Sequence, residues 1–236
     1  MLPWTQIDTV LLDLDGTLLD LSFDNHFWGE LVPAAYAAMR SLTPSQALAE
    51  LAPKFRACEG SLSWYCVEYW SRELQLDIVR LKKDAAHGVA WLPGAEGFLG
   101  SLRAAGKRVV LMTNAHPQAL RIKAERTGVT GYFDAVFSSH QFGFPKERRE
   151  FWQAVRRVEA FDPRRSLFVD DSPAVLQAAR DAGIRWVYGV RQPCFAREEP
   201  YRVVRDHGEF PAVDGVGDLL AFADGLRSDS LASGSL

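Results

Sequence analysis

Two carboxylates lie two positions apart directly after an apolar run near the N-terminus. The run Val10–Leu12 leads into Asp13 and Leu14, and Asp15 follows. Such a run predicts a buried strand, and side chains two positions apart lie on the same face of a strand. Two like charges at this spacing are unfavourable unless a cation neutralises them, and a hard divalent ion such as magnesium (Mg²⁺) prefers oxygen ligands. One carboxylate can then attack as a nucleophile while its neighbour moves protons.

Further polar residues follow predicted strands later in the chain. They are Thr113 and Asn114, Lys146, and the adjacent acids Asp170 and Asp171. A hydroxyl and backbone N–H groups at a helix start can bind an anion, a lysine can neutralise phosphate, and adjacent acids suit a metal. Taken one at a time, these residues are equally explained as helix caps, loop caps or solvated side chains. Together they are expected to meet beyond the carboxyl ends of the strands.

The elements that would position these residues alternate along the chain. Short apolar runs predict strands at 9–14, 109–112, 135–137, 167–169 and 186–190. Helical segments separate the later strands, which predicts an α/β fold with a parallel sheet covered on both faces. The stretch from about residue 27 to residue 87 reads instead as three or four helices. Within it, Thr43, Pro44 and Gln46 have the spacing of a helix start with a capping box.

These motifs resemble those of the haloacid dehalogenase-like (HAD-like) hydrolase superfamily. The segments that carry the resemblance to its bacterial GMP/IMP nucleotidase branch are 8–28, Trp64–Cys66, Thr113–His116, Phe142–Lys146 and Phe168–Ser172. The resemblance spans about residues 7–190. It implies a Rossmann-like doubly wound parallel sheet with an inserted small helical cap. We therefore expect a core of residues 1–20 and 92–227, a cap at 21–91, and a disordered tail at 228–236.

The resemblance also implies roles for the site residues. Asp13 would be the nucleophile that forms an aspartyl-phosphate, and Asp15 the general acid and then the base. Lys146 would be catalytic and, with Thr113 and Asn114, would hold the phosphoryl group. The Mg²⁺ ion would be bound by Asp13, the backbone carbonyl of Asp15 and Asp171, with Asp170 as a ligand or directly behind one. Residues that could set substrate specificity are Asp24, Asn25, Trp64, Tyr65 and His116.

The activity implied is a Mg²⁺-dependent phosphomonoesterase, and most specifically a purine 5′-nucleotidase that dephosphorylates GMP or IMP. Asp15 favours phosphoryl transfer over dehalogenation, because a leaving halide needs no proton. A phosphatase for a sugar phosphate or another small ester is the alternative, followed by a catalytically silent protein that binds phosphoryl ligands. The aromatic residues Trp64, Tyr65, Tyr69 and Trp70 could stack on a purine, although helical spacing more often marks a packed core.

Composition excludes several other classes of protein. The chain of 236 residues is 47% hydrophobic and 24% charged, with a net charge of −3, which gives no general attraction to nucleic acid or acidic membranes. Its three cysteines and five histidines have no zinc-ligand spacing, and an odd cysteine count argues against a disulfide framework. With neither a secretory signal nor a long apolar run, the expected location is the cytoplasm and the expected partner a small phosphate ester. The oligomeric state is left open.

Overall fold

The computed structural model describes residues 2–195 and 204–222. Within these residues six strands form a parallel sheet in the order β3-β2-β1-β4-β5-β6. The strands are β1 (Thr9–Leu12), β2 (Arg108–Thr113), β3 (Ala135–Ser138), β4 (Ser166–Asp170), β5 (Trp186–Val190) and β6 (Ala212–Val213). The predicted α/β class and parallel sheet are therefore confirmed. Only β6 had no counterpart among the predicted strands, because two residues carry no periodic pattern.

Strand β1 lies at the centre of the sheet, where both faces are covered. Leu12 pairs in register with Leu111 of β2 and with Val169 of β4. Val10 and Leu12 pack into one apolar cluster, whereas Leu11 packs into a second cluster on the other face. This alternation explains why the strand is apolar throughout, since neither face meets solvent.

Four helices cover the sheet: α6 (Ala95–Ala104), α7 (Pro117–Thr127), α8 (Arg149–Val158) and α9 (Pro173–Asp181). The first cluster includes Phe98 of α6, and the second includes Trp152 of α8 and Leu176 of α9. Because all six strands are parallel, the carboxyl ends of β1, β2 and β4 lie at the same edge of the sheet. The ends of these three strands carry Asp13, Thr113 and Asp170, and Lys146 lies in the loop after β3.

A helical insert separates β1 from α6 and has an apolar core of its own, which includes Phe27, Leu51 and Trp70. Its helices are α1 (Ser22–His26), continued by a π turn (Phe27–Leu31), α2 (Val32–Arg40), α3 (Pro44–Cys58), α4 (Val67–Leu74) and α5 (Ile78–Asp84). Between residues 27 and 87, where three or four helices are predicted, the structure has four α-helices, α2 to α5, in agreement with the prediction. Helix α1 precedes that stretch. Both hydrogen bonds of the predicted capping box at Thr43 are formed.

The segment that leaves the core and the segment that returns to it lie next to each other. Leu19 forms an antiparallel bridge with Trp91, and the N–H of Leu92 donates to the carbonyl of Leu18 at 2.8 Å. These bonds lie close to the proposed limits of the cap, 21–91. The expected tail at 228–236 lies outside the described residues. Among those described, the helices are too short or too polar to cross a membrane.

Candidate active site

Three buried side chains from separate loops meet at the carboxyl edge of the sheet. Asp13 follows β1, Asp170 ends β4, and Lys146 lies in the loop before α8. The Lys146 ammonium donates to Oδ1 of Asp13 and, at 2.7 Å, to Oδ2 of Asp170. The predicted convergence of these residues is therefore present in the structure.

Asp171 completes this group, which we call the acidic site: Asp13, Asp170 and Asp171 with Lys146. Nε of Arg205 lies 2.8 Å from Oδ2 of Asp171 and forms an ion pair with it. The turn after Asp13 passes close to the same carboxylate, and Gly16 there has a φ of +82°. A Cβ at position 16 would lie 2.8 Å from Cγ of Asp171, so both the backbone conformation and the close approach require glycine.

The acidic site has more negative than positive charge. Burial raises the pKa of Asp13 to about 7, against the attraction of Lys146 and with the repulsion of Asp170. Burial likewise raises the pKa values of Asp170 and Asp171 to about 6. Carboxylate oxygens of all three acids lie within 4.8 Å of one another. This oxygen-rich donor set fits a hard divalent cation, which would relieve the excess negative charge.

The two acids after β4 are not equivalent. Asp170 uses both oxygens, since Oδ1 accepts from the N–H of Ser172 at 2.8 Å and Oδ2 accepts from Lys146. Asp171 pairs with the half-exposed Arg205, a contact that a cation could replace. This difference favours Asp171 over Asp170 as a direct metal ligand. Ser172 occupies the N-cap position of α9, but its side chain makes no capping hydrogen bond there.

Thr113 ends β2 and Asn114 follows it, at the same edge of the sheet. Oγ1 of Thr113 accepts from the N–H of Ala115 at 3.0 Å. The Asn114 amide accepts from the N–H of Lys146 at 2.9 Å and donates to Oε2 of Glu147 at 3.0 Å. Asn114 therefore holds the loop that presents Lys146. Phosphate binding by Thr113 and Asn114 stays a prediction.

Asp15 belongs to a second buried group, which we call the lysine network: Asp15, Asp24, Lys82 and Lys123. Nζ of Lys123 lies 2.6 Å from Oδ2 of Asp15 and 2.6 Å from Oδ2 of Asp24. Lys82 donates to Oδ1 of Asp24 at 2.6 Å. Lys82 lies on α5 of the insert and Lys123 on α7 of the core, so Asp24 joins the two parts of the molecule.

The two carboxylates of the lysine network have opposite electrostatic environments. Burial opposes the ionisation of Asp24, but Lys123 and Lys82 outweigh it and hold its pKa below the usual range. Burial raises the pKa of Asp15 despite the attraction of Lys123. Oδ1 of Asp15 is buried and has no hydrogen-bond partner among the described residues. Asp15 can therefore carry a proton on this free oxygen.

A cavity of about 820 Å³ lies above the acidic site, between the sheet edge and the insert. Asp13, Asp15 and Lys146 line its core side. The insert contributes four aromatic side chains to the opposite wall: Trp28, Phe55, Trp64 and Tyr65. The cavity is large enough for a nucleotide-sized ligand and offers flat apolar surfaces opposite a charged end.

The specificity residues expected from sequence have different surroundings. Trp64 and Tyr65 line the cavity, and the Tyr65 hydroxyl donates to Oε1 of Glu147 at 2.7 Å, which links the insert to the Lys146 loop. Asp24 and Asn25 also line it, although Asp24 is held by the two lysines and Asn25 donates to Sγ of Cys194. His116 is absent from the described lining, and its specificity role stays a prediction without support from the cavity.

The purine-stacking alternative for Trp70 is not supported. This side chain is 1% exposed, and its Nε1 donates to the carbonyl of Trp64 at 3.0 Å, so it belongs to the core of the insert. Tyr69 pairs with Cys58 instead of facing the cavity. For both residues the packed-core interpretation is the better one.

Sequence reasoning missed other members of the site. Lys82, Lys123 and Arg205 stand in polar surroundings in the sequence, where a lysine or arginine is normally solvated. Phe55 is a single aromatic on α3, and Trp28 follows Phe27 in the π turn. We find no sequence signal that distinguishes these five residues, because only the tertiary packing of distant segments brings them to the cavity.

Comparison with known proteins agrees with this geometry. A family model for haloacid dehalogenase-like hydrolases matches residues 7–183. The chain is 42% identical over 192 residues to the GMP/IMP nucleotidase YrfG of Escherichia coli (strain K12), which covers 81% of this chain and 86% of that protein.

Two crystal structures have the same fold at low sequence identity. An HAD phosphatase from Thermococcus onnurineus matches with a TM-score of 0.74 at 18% identity, covering 93% of this chain and 99% of that one. An L-2-haloacid dehalogenase from Xanthobacter autotrophicus matches with a TM-score of 0.62 at 21% identity, covering 92% of this chain and 98% of that one. Because the family model matches most of the chain, the protein belongs to the haloacid dehalogenase-like hydrolases.

Proposed function

We propose that this protein is a phosphomonoesterase that hydrolyses purine nucleoside 5′-monophosphates of the GMP and IMP type. The observation that carries the proposal is Lys146 bound between Asp13 and Asp170, beneath a cavity with an aromatic far wall. The 42% identity to a protein named as a GMP/IMP nucleotidase supports the choice of substrate.

In the first step, Asp13 attacks the phosphorus atom. A new bond forms between the carboxylate oxygen and phosphorus, and the bond from phosphorus to the ester oxygen of the nucleoside breaks. Lys146 contacts Asp13 and carries the positive charge that phosphate oxygens require. It opposes the effect of burial on the ionisation of Asp13 and stabilises charge in the transition state.

Asp15 moves the protons. Its carboxyl group, which lines the cavity, gives a proton to the departing ester oxygen, so that the nucleoside leaves as a neutral alcohol. The resulting carboxylate then takes a proton from water, and this water attacks the phosphorus of the aspartyl-phosphate. Asp13 is released as a carboxylate, inorganic phosphate leaves, and Asp15 is protonated again.

We further propose that the acidic site holds Mg²⁺ through Asp13, the carbonyl of Asp15 and Asp171, with Asp170 held behind them by Lys146. The ion, when bound, neutralises charge on the phosphate and on the carboxylates. Activity should therefore vanish on thorough chelation and return when Mg²⁺ is added. Full activity in a chelator would contradict this assignment.

The insert at 21–91 is proposed as the cap that selects the leaving group. Its aromatic side chains Trp28, Phe55, Trp64 and Tyr65 offer stacking surfaces for a purine base, and base stacking is worth about 1–3 kcal/mol per base in other sites. The contact of Tyr65 with Glu147 holds this wall over the Lys146 loop. A small sugar phosphate would leave most of the wall uncovered.

Release of inorganic phosphate from a panel of esters tests the substrate class. The panel contains GMP, IMP, AMP, a pyrimidine monophosphate, a sugar phosphate and phosphoserine, each with Mg²⁺. We expect the highest kcat/KM for GMP and IMP. An equal or higher value for the sugar phosphate would overturn the nucleotidase proposal, and no turnover of any ester would overturn the phosphatase proposal.

A contaminating phosphatase is the main source of error in this assay. Asp13→Asn, purified in the same way, provides the blank for every ester. Trp64→Ala provides the matched cap variant, and we expect it to raise KM for GMP more than KM for a sugar phosphate. An equal change for both substrates would argue against stacking on Trp64.

A further inference from the structure

Three potential metal ligands meet outside the acidic site, where the insert packs on the core. They are Cys66 at the N-cap of α4, His116 at the N-cap of α7, and His140 in the turn Ser139–Gln141 after β3. One ligand atom from each lies within 4.8 Å of the other two. The rings of His116 and His140 are 4.8 Å apart and nearly perpendicular.

The polar atoms of this cluster are poorly satisfied by the protein. Both ring nitrogens of His140 are buried and have no hydrogen-bond partner within the described part of the chain. Within the described residues, Sγ of Cys66 accepts one hydrogen bond, from the N–H of Tyr69 at 3.4 Å. Buried imidazole nitrogens are normally hydrogen-bonded or bound to metal, so His140 requires an explanation that the protein fold does not supply.

The protonation state also suits a metal. Burial lowers the pKa of His116, and burial together with His116 lowers the pKa of His140 to about 4. Both imidazoles are therefore neutral near pH 7, which is the form that binds metal ions. Oε1 of Glu68 lies 4.0 Å from Nε2 of His116, and it accepts a hydrogen bond from the Gln118 amide at 2.9 Å.

We propose that Cys66, His116 and His140 form a second metal site, selective for Zn²⁺ over Mg²⁺. One thiolate and two imidazoles form a donor set that Zn²⁺ prefers, whereas Mg²⁺ requires oxygen ligands. On binding, the Cys66 thiol releases its proton to solvent. The ligand atoms must approach one another by about 1 Å, because Zn–S and Zn–N bonds are about 2.3 and 2.0 Å long.

Ligation by His116 has one local cost. Its Nδ1 accepts a hydrogen bond from the N–H of Gln118 at 3.3 Å. If Nε2 binds the ion, Nδ1 must carry the proton, and this long bond is lost. Cys66 belongs to the insert and both histidines to the core, so the bound ion would cross-link the two parts beside the cavity.

Titration with Co²⁺, a spectroscopic substitute for Zn²⁺, tests the site in the full chain. Saturating Mg²⁺ is present throughout, so that the acidic site does not compete for Co²⁺. We expect a thiolate-to-cobalt charge-transfer band that saturates at one equivalent and is removed by stoichiometric Zn²⁺. Absence of this band in the folded wild-type protein would overturn the proposal.

Matched variants locate the ligands. Cys66→Ser should abolish the band, whereas Cys58→Ser, at another half-buried cysteine of the insert, should leave it unchanged. His140→Ala should weaken Zn²⁺ binding at least 10-fold in a competition assay with a chromogenic chelator. Circular dichroism checks the folding of each variant, and His140→Ala alone decides the outcome if Cys66→Ser does not fold. Unchanged Zn²⁺ affinity in folded His140→Ala would overturn the site.

Discussion

The acidic site and the lysine network are two buried groups of charges that share the same cavity, yet they are balanced differently. In the acidic site three carboxylates face one buried lysine and one half-exposed arginine. In the lysine network two carboxylates face two buried lysines. Burial raises the pKa values of all three acids in the first group, whereas the pKa of Asp24 in the second is lowered.

This difference separates a reactive group from a structural one. An excess of buried negative charge is unfavourable unless a cation or a proton is taken up, so the acidic site is suited to binding a metal and an anionic substrate around it. A balanced group needs no added cation, although Oδ1 of Asp15 within it has no hydrogen-bond partner among the described residues. Asp15 contacts both groups, since its side chain pairs with Lys123 while its backbone lies beside Asp13.

Replacement of the nucleophile should have the largest effect. Asp13→Asn removes the attacking carboxylate and should lower kcat by about 10⁴-fold or more, since removal of a nucleophile from a catalytic group costs several orders of magnitude. Phosphate release from GMP measures this loss. Asp13→Asn with more than a tenth of the wild-type rate would contradict the covalent route.

The same substitution should not destabilise the fold. It removes one of three crowded acids and leaves Lys146 paired with Asp170. Denaturant unfolding near pH 7 without Mg²⁺ should therefore give a free energy of unfolding at least equal to that of the wild type. A large loss of stability would mean that Asp13 is needed for the fold itself.

The lysine network should give the opposite result. Asp24→Asn leaves Lys82 buried among Phe23, Phe27 and Trp28 without its carboxylate. An uncompensated buried charge costs about 3–5 kcal/mol, and urea unfolding should show a loss of this order. Lys82 lies beside these aromatic rings, which recover only part of the energy.

A double substitution provides the control. Asp24→Asn combined with Lys82→Met removes both charges of the pair and should recover part of the stability lost in Asp24→Asn alone. If the two effects simply add, Asp24 and Lys82 do not stabilise each other, and the lysine network is not a unit.

Asp13 of the acidic site and Asp24 of the lysine network should also respond to pH with opposite signs. Asp13 has a pKa of about 7 in the folded protein, well above its ordinary value, so between about pH 4 and pH 7 the folded state binds more protons than the unfolded state. Without Mg²⁺, this acid therefore makes the fold less stable as the pH rises through that range. Asp24, with a lowered pKa, stabilises the fold above about pH 4 and loses that contribution only in stronger acid.

Urea unfolding in a chelator at several pH values measures this contrast. Relative to the wild type, Asp13→Asn should gain on the order of 2 kcal/mol in stability between about pH 4 and pH 7. Asp24→Asn should show no such gain over the same range. Parallel pH curves for Asp13→Asn and the wild type would mean that Asp13 is already ionised at acidic pH.

The acidic site could be predicted from sequence because each of its acids directly follows an apolar strand. Asp13 and Asp170 are fixed by the ends of β1 and β4, and the rule that parallel strands end at one edge places them together. No such rule applies to Lys146, because neither the position nor the length of its loop follows from a pattern in the sequence. Its identification depended on the resemblance of Phe142–Lys146 to a family motif.

The lysine network and the Cys66–His116–His140 cluster could not be predicted in this way. Their members lie on different helices and turns, and the packing of the insert on the core decides which of them meet. Lys82 and Lys123 have the same sequence surroundings as solvated lysines. Helix starts were easier to predict, because the capping residues at Thr43 are local and need no knowledge of packing.

A local capping bond should contribute less to stability than either group of buried charges. Thr43 caps α3 on the exposed side of the insert, where its Oγ1 accepts from the N–H of Gln46 at 3.3 Å. Thr43→Ala should cost about 1 kcal/mol, and Thr43→Ser should restore most of it, because serine can form the same bond. kcat for GMP should not change, because Thr43 is exposed to solvent and is absent from the described lining of the cavity. A loss in Thr43→Ala as large as that in Asp24→Asn would mean that the insert depends on its helix ends as much as on the buried charges that join it to the core.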